Sequence, residues 1–164
     1  MKFDPVEICA ALAAEGVEFV VLGGFAAVIH GSSLPTEDVD VIPSREWSNL
    51  ERLARALTSL DARIRTSGEA IATNLDAAFI ANMPLMLNLV TKFGDLDLTF
   101  APAGLLSDFD SWSTGSRPAK LREGLVVQVA ALQDIIDSKT AANRPKDQMA
   151  LPYLEALRDQ IGTV

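Results

Sequence analysis

The chain has 164 residues, 49% of them hydrophobic, a formal net charge of −8 and one cysteine, Cys9. This length and apolar content allow a buried core and exclude disorder, while the acidic balance excludes broad affinity for a nucleic-acid backbone. A lone Cys excludes an internal disulfide, and neither a signal-peptide pattern after Lys2 nor an apolar run of membrane-spanning length is present, so a cytoplasmic protein with no membrane partner is expected.

Asp4-Pro5-Val6-Glu7 predicts a helix start, with Asp4 as cap, Pro5 at the first helical position and Glu7 reaching back to the cap. That helix runs through Ala14 and ends at Gly16. Residues 19–22 form a short, wholly apolar strand, and Cys9 reads as a packed residue of the preceding helix. Gly23-Gly24 turns the strand into a helix over 25–30, stopped by Gly31. Residues 37–42 give the next strand, closed by Pro43. Ser44 is expected to cap an amphipathic helix with Trp47, Leu50, Leu53, Ala54 and Leu57 on one face.

Residues 61–82 show no clear period. Residues 85–91 alternate as a strand, Lys92-Phe93-Gly94-Asp95 reads as a hairpin turn, and 96–100 returns. Residues 101–118 read as loop with a helical turn, 125–129 as a strand and 131–142 as a helix ending near Asn143. A last helical stretch covers 145–160, with Pro152 a kink or boundary. The order predicts an α/β fold: a mixed sheet flanked by helices, in one domain over 1–164 with a core over 16–130 and a helical C-terminal part over 131–164.

The chemistry concentrates in residues 20–42. Strand side chains repeat every second residue, so Asp38 and Asp40, alternating with Val39 and Val41, share one face. Two adjacent carboxylates repel unless a cation neutralises them. A third acid, Asp97, is flanked by Leu96 and Leu98 on a later strand that can lie beside the first; Asp95, on the same face and at the turn, is its rival. Three carboxylates suit one or two Mg²⁺ ions with room for phosphate. Gly23 and Gly24 stand where a strand becomes a helix, and such a junction offers free N–H groups and the positive helix end to a phosphate. Together these features describe a nucleotidyl-transfer site. The only histidine, His30, sits at a helix C-terminus and reads as a capping or packing residue. Trp47 and Trp112 read as core or interface residues.

The segment resembles the nucleotidyltransferases of the DNA polymerase beta-like superfamily in Leu22-Gly23-Gly24, Asp38-Val39-Asp40 and Leu96-Asp97-Leu98, in that order. It is most similar to the AbiEii/MenT-type branch, linked to toxin–antitoxin systems, through Gly23-Gly24-Phe25-Ala26, His30-Gly31 and Thr36-Glu37-Asp38-Val39-Asp40. Lys139 and Asn143-Arg144-Pro145-Lys146-Asp147 extend the likeness, with Asn143 for the branch's Gly. The resemblance implies the polymerase beta-like nucleotidyltransferase fold and transfer of NMP from an NTP to an acceptor hydroxyl with Mg²⁺ or Mn²⁺. Asp38 and Asp40 would hold metal and triphosphate, and Asp97 the second metal and the acceptor. Gly23, Gly24, Thr36, Lys139, Arg144 and Lys146 would bind the nucleotide. The implied acceptor is RNA, especially tRNA, or a protein, and the implied partner a cognate antitoxin. Leu34 stands where the branch commonly has Arg, which supports an alternative: a nucleotide-binding, regulatory module of the same fold acting through a partner protein.

Overall fold

The structure is a computed structural model describing residues 2–162. Helix α1 (Pro5–Ala14) starts where Asp4 accepts the Glu7 N–H at 3.1 Å, and it buries Ile8, Cys9 and Leu12. Strand β1 (Phe19–Leu22) is buried along its whole length, because helices cover both of its faces. Helix α2 (Gly23–His30) follows without a linker and stops at Gly31, whose φ of +114° only glycine adopts easily. The ring of His30 donates to Ala130 O at 2.7 Å, tying the end of α2 to the chain after the last strand. Strand β2 (Asp38–Pro43) buries Val39 and Val41 and leaves Asp38 and Asp40 on the opposite face.

Helix α3 (Trp47–Ser59) departs from expectation at its start. Ser44 is not its cap; Glu46 occupies that position and makes no side-chain cap bond. Ser44 instead accepts the Glu46 N–H and is held by the wholly buried Asn49, whose Nδ2 donates to Ser44 O at 2.8 Å and to Glu18 O at 3.0 Å. Trp47, expected on the buried face, is 54% exposed, while Asn49 and Leu50 in the same turn are buried. Leu50, Leu53, Ala56 and Leu57 form the covered stripe.

The stretch without a period holds the two-residue strand β3 (Arg63–Ile64) and helix α4 (Ala77–Ala81), capped by Asp76. Strands β4 (Met86–Thr91) and β5 (Gly94–Thr99) form the expected hairpin, with β5 already beginning at Gly94. Residues 101–118 are less irregular than expected: they contain helix α5 (Phe109–Gly115), which buries Trp112, and the start of β6 (Arg117–Arg122). Strand β6 pairs antiparallel with β7 (Leu125–Val129). Helices α6 (Leu132–Ala142) and α7 (Pro145–Gly162) pack on each other. Pro152 neither ends nor splits α7; the carbonyl it leaves unpaired, on Gln148, is on an exposed residue, where solvent is available to it.

The strands form one 7-stranded sheet in the order β3-β4-β5-β2-β1-β7-β6. Pairing is parallel for β1·β7 and β2·β5 and antiparallel elsewhere, which gives the expected mixed α/β sheet. The consequence for chemistry is that β2 and β5, far apart in sequence, lie side by side with their acids in register.

Candidate nucleotide and metal site

The parallel pairing of β2 and β5 sets Asp40 opposite Asp97 and Asp38 opposite Asp95. Asp38, Asp40 and Asp97 each place a carboxylate oxygen within 4.8 Å of the others. Asp97 is 7% exposed, and Leu96 and Leu98 beside it are wholly buried, so the strand is fixed by its apolar face while its acids meet on the other. Asp95 lies one step outward; its side chain turns to Arg65 at 3.4 Å, outside the triad.

Burial raises the Asp40 carboxyl to a pKa of about 7, and the charges of Asp38 and Asp97 push it the same way. Asp97 is also raised, by burial first, against the lowering effect of the Arg65 guanidinium. A proton shared in such a cluster is what a cation with oxygen ligands would replace, so the donor set fits Mg²⁺ or Mn²⁺.

The glycine pair has two separate jobs. Gly23 has φ +65°, and a Cβ on it would collide with Asp40 Oδ2, so the backbone approaches the carboxylate as closely as it does only because a hydrogen stands there. Gly24 lies against Thr36, where a Cβ would come within 2.9 Å of Oγ1. Thr36 Oγ1 in turn donates to Asp38 O at 3.1 Å, bracing the entry to β2. Thr36 therefore reaches the site through Asp38 while also lining the cleft. Gly23→Ala is expected to cost about 1–2 kcal/mol from the backbone conformation alone. It should also displace Asp40, so thermal melts of the variant should shift less on adding Mn²⁺ than those of the wild type.

A basic wall faces the acids. Asn143 ends α6 in the left-handed region at φ +51°, a conformation Asn tolerates next best after Gly, so the turn forms without a glycine. The turn brings Lys139, Arg144 and Lys146 to the cleft. Asp147, wholly buried, accepts from Arg144 Nε at 2.7 Å and Nη2 at 3.2 Å and from the Arg144 backbone N–H at 3.1 Å, with Lys139 Nζ at 3.5 Å. Lys139 also acts on Asp40, whose pKa its charge lowers. Lys146 is exposed at the rim.

Carboxylates, glycine turn and basic wall line one cleft of about 830 Å³. Its far side is formed by Leu85, Met86, Asn88 and Arg65. Arg65 had no signal in the sequence beyond Arg63 and Arg65 flanking Ile64; its Nη2 donates to Asp97 Oδ1 at 2.7 Å. In the sequence Asp147 stands only as the last residue of the Asn143–Asp147 motif, with nothing to mark it as the buried anchor of two cations. Leu34 lies half-buried in the loop before β2, its N–H bonded to Ser32 Oγ at 3.1 Å.

No protein-family model matches the chain, and no curated protein matches it in sequence. Solved structures do match in fold. The lincosamide antibiotic adenylyltransferase LnuA, solved with lincomycin bound, aligns with a TM-score of 0.63 at 12% identity over 96% of this chain and 99% of its own. ANT(2")-Ia, solved with adenylyl-2"-tobramycin, aligns at 0.54 and 16% identity over 95% and 93%. A protein of Thermotoga maritima assigned as a nucleotidyltransferase aligns at 0.53 and 14% identity over 96% and 90%. At these identities the likeness establishes the fold, and this chain has the nucleotidyltransferase fold over nearly its whole length. Among the described residues, no helix is long and apolar enough to cross a membrane.

Proposed function

We propose that the chain is a metal-dependent nucleotidyltransferase that moves NMP from an NTP to the hydroxyl of a compact, non-polyanionic acceptor. The observation that carries this is the convergence of Asp38, Asp40 and Asp97 within 4.8 Å, between the Gly23-Gly24 helix start and the basic wall. Asp38 and Asp40 would hold the cation and orient the triphosphate. Gly24 and the start of α2 present N–H groups to phosphate, and Lys139, Arg144 and Lys146 add positive charge over it. Asp97 faces the remaining side of the cleft and would take the proton of the acceptor hydroxyl as that oxygen bonds the α-phosphorus and the bond to pyrophosphate breaks. A bound divalent cation supplies the charge that stabilises the attacking and leaving oxygens.

The acceptor class follows from where the charges sit. The basic residues cluster on the α6–α7 side. The β4–β5 side, left for the acceptor, carries Asp97, and the one cation lining it among the described residues, Arg65, is already paired with two carboxylates. Leu85 and Met86, 64% and 44% exposed, add apolar surface next to Asn88. A sugar–phosphate chain would meet repulsion there, and the net charge of −8 adds to it. Small hydroxylated molecules with an apolar face suit that wall better, and the antibiotics bound in two of the fold relatives are small molecules. The motifs from Gly23 to Asp40 support kinship with the AbiEii/MenT-type branch, and of the two acceptors expected of it, RNA and protein, the charge layout disfavours RNA.

The test is incubation with each labelled NTP and Mg²⁺, supplying in turn a panel of hydroxylated small molecules, total RNA and cell-extract protein, with Asp40→Ala as control. Label passing to small molecules supports the reading. Label passing only to RNA or protein overturns the acceptor class, and a wild type indistinguishable from Asp40→Ala with every NTP overturns the activity.

A further inference from the structure

Arg65 reaches into the carboxylate cluster from the end of the edge strand β3, and it is held there firmly. Its backbone N–H donates to Asn88 O at 2.9 Å, and Nη1 donates to Leu89 O at 3.0 Å. With the backbone held by Asn88 O and the guanidinium by Leu89 O, both on β4, Nη2 donates to Asp97 Oδ1 at 2.7 Å and Nη1 lies 3.4 Å from Asp95 Oδ2. The side chain is 29% exposed, so this is not a solvated surface pair. Among the described residues, no arginine bonds Asp38 or Asp40 in this way, and of the three acids only Asp97 has an oxygen held by a resident cation.

We propose that Arg65 is a fixed counter-charge that divides the work among the three carboxylates. It occupies one oxygen of Asp97 and offsets part of the cluster's negative charge. The resting site therefore holds its divalent cation on Asp38 and Asp40 and keeps Asp97 turned to the acceptor. Arg65 is a positioning residue: it acts through Asp97 and touches neither phosphate nor cation. The inference rests on the nucleotidyltransferase reading above, since it assumes that the triad takes a divalent ion.

Two opposite outcomes separate this role from a merely structural one. A structural arginine would leave the site looser when removed, and metal affinity would fall. A counter-charge would leave Asp97 free to join as a ligand next to a less neutralised cluster, and affinity would rise.

The experiment is Mn²⁺ titration of the full chain without nucleotide, followed by calorimetry and by the EPR signal of free Mn²⁺. Arg65→Gln should bind Mn²⁺ at least about tenfold more tightly than wild type, the effect of removing one charge next to a divalent ion at partial burial. Arg65→Lys, which keeps the charge, should stay within about threefold of wild type. Asp97→Asn should weaken Mn²⁺ binding by less than about threefold in the wild-type background but by about tenfold in the Arg65→Gln background, a coupling that a double-mutant cycle reads directly. Arg65→Gln binding no more tightly than wild type would overturn the proposal. So would an Asp97→Asn single variant that weakens Mn²⁺ by tenfold or more, a result that needs no Arg65 variant to fold. If Asp40→Ala removes Mn²⁺ binding while Arg65→Gln and wild type agree, only the role of Arg65 fails. If the wild type binds no Mn²⁺, the metal-dependent activity fails with it.

Discussion

Asp40→Asn is expected to cut nucleotidyl transfer by at least about a thousandfold while making the metal-free protein more stable. The loss corresponds to roughly 4 kcal/mol of transition-state stabilisation, the scale of removing a ligand from a metal that neutralises both reacting oxygens. The gain in stability comes from the same charge. Asp40 is raised to about 7 by burial, then by Asp38 and Asp97, from an ordinary value of 3.8. Between those values the folded state keeps a proton that the unfolded chain releases. Stability from this group is therefore fully present below about pH 4 and is lost as pH rises through about 7. Above that, an ionised Asp40 strains the apo protein, and a neutral Asn relieves it by about 2 kcal/mol, or roughly 5 °C in melting temperature for a chain of this size. Thermal unfolding followed by circular dichroism should show the variant melting higher at pH 8 without metal and equal to wild type near pH 4. Saturating Mg²⁺ should reverse the order at pH 8, because only the wild type gains binding energy. A variant less stable than wild type at pH 8 without metal would contradict this assignment.

Asp147→Ala is expected to have the largest effect on stability. Asp147 is wholly buried and bonds Arg144 through side chain and backbone, with Lys139 beside it. Removing it leaves a partly buried lysine and an arginine without their anion and frees the first turn of α7, a loss of about 3 kcal/mol. Burial works to raise its pKa, but the hydrogen bonds and charges of Arg144, with that of Lys139, outweigh it and hold the carboxyl below the ordinary range. Its stabilisation is thus present above the unfolded carboxyl value and is lost as pH falls through the depressed one. The gap between wild type and Asp147→Ala should therefore be widest at neutral pH and close in acid. Nucleotide affinity should fall by about tenfold at the same time, since Lys139 and Arg144 lose their fixed positions over the phosphates. Denaturant titration at pH 7 and pH 3, with calorimetry using a non-hydrolysable NTP, measures both. A variant with wild-type stability and weaker nucleotide binding would make Asp147 a ligand-side residue instead of an anchor.

What was legible in the sequence was what local pattern dictates. The alternation of Asp38 and Asp40 with two valines fixed their shared face, and Gly23-Gly24 after four apolar residues marked the strand-to-helix turn. Asp97 was a candidate because leucines flank it, but its meeting with Asp40 depends on the parallel register of β2 and β5, a non-local fact that no window contains. Arg65 was invisible for a related reason. Strand β3 has two residues, too few to show a period, and its place beside β4 comes from pairing rather than propensity. Strand β6 was missed because Arg117, Lys120 and Arg122 carry the features of a solvated edge, not of an apolar strand. The period alone puts Trp47 on the buried face, but the covered stripe of α3 begins at Asn49 and Leu50 and leaves Trp47 exposed.

The most direct test of the central claim, that the acids and the glycine turn form one metal–nucleotide centre, is a crystal structure with Mn²⁺ and a non-hydrolysable NTP, read from the manganese anomalous signal. The expected result is an anomalous peak bonded to Asp38 and Asp40, with the triphosphate between Gly24 and Lys139. A bound nucleotide with no manganese on either aspartate, or manganese held elsewhere in the molecule, would contradict it.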